Sequence, residues 1–160
     1  MEEINFETLL GKNISEIQLL GYASNNMDDN IYLITEPRVK FLGRPIHKLM
    51  IGTREDKKIV YIHIIFSEQG NKNFYKIISD EYGENFDVMV LDQAITKETT
   101  SKEIADGFFT ENLEHTSTIL QKGTIHDKDL NHLLWSKEKF ELMLFYNRFK
   151  NREEVHFIIK

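Results

Sequence analysis

The sequence predicts an α+β domain built mainly on antiparallel sheet, and three observations carry that prediction. Apolar and β-branched residues gather in short runs between polar turns, the longest being Ile59-Val60-Tyr61-Ile62-His63-Ile64-Ile65-Phe66. Clear helical spacing occurs once, in residues 74–82. A composition of 41% hydrophobic and 29% charged residues over 160 positions, without cysteine, suits one core that needs no disulfide. Two Pro and 8 Gly leave little material for a linker, so residues 1–160 read as a single domain, with 1–70 and 71–160 as halves.

Taken in order, Asn13-Ile14-Ser15-Glu16 is a capping box: Asn13 caps and Glu16 reaches back three residues later, which predicts a short helix ending at Gly21. Ile31–Thr35 and Val39–Leu42 are extended, broken at Pro37, whose ring removes a ladder donor. His47–Ile51 and Ile59–Phe66 flank the polar stretch 52–58 and predict a hairpin. The second strand is apolar on both faces and is expected to be central, with His63 on the side of Tyr61.

Phe74, Ile77, Ile78 and Tyr82 then recur at helical spacing, and Gly83 ends the run as its C-cap. Phe86–Leu91 predicts a further strand. Residues 92–131 lose periodicity and hold 8 acidic against 4 basic residues, so they read as a surface insertion, with Ser101 and Thr110 capping short helices through Ile104 and Leu113. Leu133–Trp135, Phe140–Tyr146 and Glu154–Ile159 predict a three-stranded meander. The element order repeats, and Leu49-Met50-Ile51 echoes Leu142-Met143-Leu144, which suggests a duplicated α-β-β-β module.

Gly11-Lys12-Asn13-Ile14-Ser15-Glu16-Ile17 before Leu19-Leu20-Gly21, and the Tyr82-Gly83 helix end before a Trp-bearing strand, resemble the small bacterial modules shared by outer-membrane-assembly lipoproteins and the beta-lactamase-inhibitor protein. The resemblance implies a non-catalytic, protein-binding sheet.

Composition narrows function further. A net charge of −6 opposes a general grip on phosphates, so nucleic acid is not the expected partner and a protein with a basic surface is. No apolar run is long enough for a membrane helix, and the start Met1-Glu2-Glu3-Ile4-Asn5 lacks the regions of a signal peptide, so the expected location is cytoplasmic. Lys137, Lys139, Arg148, Lys150 and Arg152 interleave with Trp135, Phe145 and Tyr146, yet strand alternation places Tyr146 with Phe140, Leu142 and Leu144 on the buried side.

Three histidine patterns carry chemistry. His126, Asp127, Asp129 and His132 lie within seven positions and form the candidate set for a metal-dependent hydrolase or metal-binding protein, set against Asp127 capping a helical turn among solvated histidines. His115-Thr116-Ser117 matches one half of a two-histidine phosphoesterase signature and has no second copy. His63 and His156 sit inside apolar strands of the two halves; either would be a satisfied histidine under a covering element, and the two would form a site if they met. With no nucleophile elbow, phosphate loop or dinucleotide fingerprint, the expectation is a binding domain of immunity or inhibitor type that uses neither cofactor nor catalytic residue.

Overall fold

The computed structural model describes residues 1–17, 24–28, 30–35, 37–66, 73–92, 102–104, 107–109, 119–126, 130–147 and 152–160. Its strands are β1 (Glu2–Glu3), β2 (Ser24–Asp28), β3 (Ile31–Thr35), β4 (Val39–Phe41), β5 (Arg44–Thr53), β6 (Ile59–Phe66), β7 (Asp87–Asp92), β8 (Lys102–Ile104), β9 (Gly107–Phe109), β10 (Ile119–Lys122), β11 (Leu130–Ser136), β12 (Phe140–Asn147) and β13 (Arg152–Ile159). Among the described residues one α-helix, α1 (Phe74–Tyr82), accompanies them. The fold is β-rich and α+β-like.

An 11-stranded open sheet runs β1-β4-β5-β6-β13-β12-β11-β7-β10, and β3, carrying β2, also pairs with β5. Every pair is antiparallel except β1 with β4. β8 and β9 form a separate hairpin. The sheet is organised around the junction of β6 with β13, where Ile64 opposes Val155, His63 opposes His156 and Ile62 opposes Phe157. On one side of that seam Met50 of β5 faces His63, and on the other Met143 of β12 faces His156.

Alternation divides the side chains between two faces. Leu49, Ile62, Ile64, Leu142, Leu144, Val155 and Phe157 point to one face and are fully buried. Phe6, Phe74, Ile78 and Tyr82 cover it, with edge-to-face contacts from Phe41 to Phe6, Phe74 and Phe157 at ring separations of 5.9, 6.4 and 5.6 Å. Gly83 terminates α1 at φ +93° and ψ 160°, a conformation that essentially excludes other residues, and its carbonyl accepts the Trp135 Nε1–H at 2.8 Å. Trp135 is therefore fully buried on the helix side of the sheet rather than displayed for recognition.

The structure departs from the sequence expectations in three described places. The capping box at Asn13 and Glu16 forms, but it closes a 3-10 turn over Ile14–Glu16 instead of a helix, because Ile17 already turns extended and the segment is tied to the start of β6 through Gly11 N–H to the Ile59 carbonyl and Ile59 N–H to the Lys12 carbonyl. Residues 18–23 lie outside the described residues. Lys102–Ile104, expected at the end of a helix capped by Ser101, is extended and pairs with Gly107–Phe109, whose phenylalanines favour a strand. Thr110 and Leu113 lie outside the described residues. Within the stretch read as an insertion, Ile119–Lys122 joins the main sheet beside β7.

Candidate functional site

The face of the sheet opposite α1 carries a cluster of polar groups. Tyr61 and His63 reach it from β6, and Arg152, Glu154 and His156 reach it from β13, since each set is spaced by two along its strand. Cross-strand pairing of His63 with His156 stacks their imidazoles at 4.1 Å between centroids and 20° between planes. The two histidines of the two halves therefore meet, and the i, i+2 spacing of Glu154 and His156 adds a carboxylate to them.

Hydrogen bonds fix this group from outside. Glu154 accepts from His63 Nε2 at 2.8 Å through Oε2 and from Arg152 Nε at 2.6 Å through Oε1. His156 Nδ1 is 2.7 Å from the Tyr61 hydroxyl, and His156 Nε2 lies 4.0 Å from Glu154 Oε2. Side-chain exposures of 11% for His63, 6% for Glu154 and 18% for His156 show how far solvent is excluded. Two buried nitrogens, His63 Nδ1 and His156 Nε2, have no hydrogen-bond partner among the described residues.

Burial and charge tune the group in opposite directions. Burial alone would raise the Glu154 carboxyl, but the hydrogen bonds and charges of His63 and Arg152 outweigh it and hold the pKa at about 2. Burial, reinforced by the nearby His63, pushes His156 down to about 4 against the pull of Glu154. Burial and the Glu154 charge lift the Tyr61 hydroxyl to about 12, so it stays protonated at neutral pH. Among the described residues, His63, Glu154 and His156 are the group whose donor atoms, all within 4.8 Å of one another, have metal-ligand chemistry.

The other predicted residues are placed differently. His126 is exposed in a turn before β11. His132 is buried within β11, with Nδ1 2.7 Å from Asn131 Oδ1 and its ring stacked beside Phe145. Asp127, Asp129 and His115 lie outside the described residues. Sequence reading missed Glu154 and Arg152; the Glu-x-His spacing in β13 was the available signal.

A second feature opens on the helix side, where a cavity of about 520 Å³ lies between the 3-10 turn at Phe6–Leu9, the end of α1 and the β12 and β13 ends. Leu10, Phe140 and Ile159 line it with apolar surface, and Glu7, Glu81 and Glu138 line it with carboxylates. Glu7 accepts the Tyr82 hydroxyl at 2.5 Å, and burial, reinforced by that bond, drives the phenol well above its ordinary value. Lys137 donates to the Tyr82 carbonyl, and Lys139 borders the same cavity.

Comparison with family models, curated proteins and solved structures finds no match to this chain.

Proposed function

We propose that this chain is a non-catalytic binding domain, inhibitor- or immunity-like in kind, that recognises a protein with a basic surface. One observation carries the reading: the cavity beside α1 combines apolar surface with three carboxylates against two lysines, a lining that is acidic on balance and suited to the aliphatic stem and cationic head of an Arg or Lys side chain. The chain's net charge of −6 favours the same class of partner through long-range attraction. The His63, Glu154 and His156 cluster, by contrast, is too enclosed to receive a macromolecular substrate. Matching placement of Met50 with His63 and Met143 with His156 supports reading the two meanders as copies of one ancestral module.

The test is an NMR titration of the full chain with acetyl-Leu-Arg-Leu-amide. Saturable shifts at the Glu7, Glu81 and Phe140 amides are expected. They should weaken as salt rises and vanish in the Glu81→Gln/Glu138→Gln variant, which leaves the Glu7 to Tyr82 bond in place. Shifts confined to other surfaces, or shifts that persist in that variant, would remove the cavity as the recognition site.

A further inference from the structure

We infer that His63, Glu154 and His156 form a binding site for a divalent transition-metal ion of borderline softness. The backbone makes the arrangement convergent. Glu154 and His156 are two apart on β13 and rise from the same face, while His63 stands directly across from His156 on β6. Three side chains from two paired strands thus surround one point above the sheet, giving two imidazoles and one carboxylate, a set that suits zinc or iron and not calcium or magnesium, which prefer all-oxygen shells.

The outer hydrogen bonds point the correct atoms inward. Arg152 holds Glu154 Oε1, leaving Oε2 toward the two rings. Tyr61 occupies His156 Nδ1, and in the tautomer that donates Nδ1–H to the phenol oxygen, Nε2 presents its lone pair to the cluster. Metal-bound histidines are ordinarily held in this way by a partner on the second nitrogen. Independently, His156 Nε2 is buried without a hydrogen-bond partner among the described residues, a desolvation cost that an ion would offset.

Binding requires a defined adjustment. The ion takes the place of the proton that His63 Nε2 donates to Glu154 Oε2, the ligating ring carrying its proton on Nδ1 instead, and the imidazoles turn out of their parallel stack until their lone pairs meet about 2.0–2.2 Å from the ion. Water completes a tetrahedral shell. The consequence for the fold is a cross-link between β6 and β13, the strands that join the two halves.

Isothermal titration of the EDTA-stripped full chain with Zn²⁺ tests the inference, with Co²⁺ absorption and histidine ring NMR as second readouts. One ion per chain is expected, reversed by EDTA, shifting the His63 and His156 ring signals but not those of His126. Tyr61→Phe, which keeps the ring and removes the hydroxyl, should weaken binding by about 10–100-fold. His156→Ala should abolish it, and His126→Ala should leave it unchanged. Absence of saturable binding to the wild-type chain, binding that survives His156→Ala, or binding lost on His126→Ala would overturn the assignment. If His156→Ala does not fold, the wild-type ring shifts decide alone. Because the cavity beside α1 shares none of these residues, failure of either assignment leaves the other standing.

Discussion

Arg44 shows how a charge is accommodated in this core. Its guanidinium packs against both the Phe66 and Phe74 rings, 4.1 and 4.3 Å from their centroids, and reaches Glu153 at 2.6 Å with side-chain exposures of 15% and 6%. Burial raises the Glu153 carboxyl in spite of that hydrogen bond and the Arg44 charge, so the carboxylate is held at a cost. Removing one member of such a pair strands the other, whereas replacing both is far milder. Arg44→Met should therefore lose ~3–5 kcal/mol in urea unfolding, and Arg44→Met/Glu153→Gln should recover much of it. A single-variant loss below ~1 kcal/mol would show the pair to be solvated like an ordinary surface bridge. His132 supplies a second residue-level expectation. Burial lowers its pKa below the ordinary 6.5, so the folded state prefers the neutral ring. That contribution is complete above pH 6.5 and is lost as pH falls through the lower folded value. In EDTA, stability measured from pH 7.5 to 4.5 should decline less steeply for His132→Leu than for the wild type, His156 being present in both. Parallel curves would mean that His132 titrates alike in the folded and unfolded chain.

Elements were legible in the sequence to the extent that they rest on local pattern. Phe74, Ile77, Ile78 and Tyr82 with Gly83 marked α1 at its observed bounds, because amphipathic spacing and a glycine stop are both local signals. β6 read as central for a similar reason: Ile62 and Ile64 are fully buried on one face and His63 and Ile65 nearly so on the other. The capping box at Asn13 formed as its residues suggest, yet a cap specifies where a turn begins and not how far it runs, and backbone bonds to the start of β6 ended it after one turn. Ile119–Lys122 could not be recognised as a strand of the main sheet, since its partner β7 lies across a long, acidic and aperiodic stretch. The same distinction separates the two histidine patterns. His126 and His132 are near in sequence, but one lies in an exposed turn and the other is buried in a strand. His63 and His156 are far apart in sequence, and the pairing of β6 with β13 sets them in direct opposition; alternation gave the face each occupies, while register, which depends on long-range pairing, decided that they meet.

At the scale of the molecule, that pairing also determines cooperativity. β6 belongs to the first half of the chain and β13 to the second, and neither buries its apolar face without the other: Ile64 opposes Val155, Ile62 opposes Phe157, and the Phe157 ring packs against Phe6 and Phe41 from the first 41 residues. Trp135, on the far side of the seam, is covered by the end of α1 and by Phe86. A core shared in this way has no internal boundary along which half of it can melt, so unfolding should be a single cooperative transition. Trp135 fluorescence and far-ultraviolet circular dichroism should give superimposable urea curves. Ile64→Ala, a change in the first half that removes a fully buried side chain, should shift both curves by the same amount, corresponding to a loss of ~2–5 kcal/mol. If the Trp135 curve stayed in place while the dichroism curve moved, the two meanders would be separate cooperative units and the seam a docking contact between them. A common shift would instead make the β6 and β13 junction the structural centre of the fold, with the His63, Glu154 and His156 cluster at its midpoint.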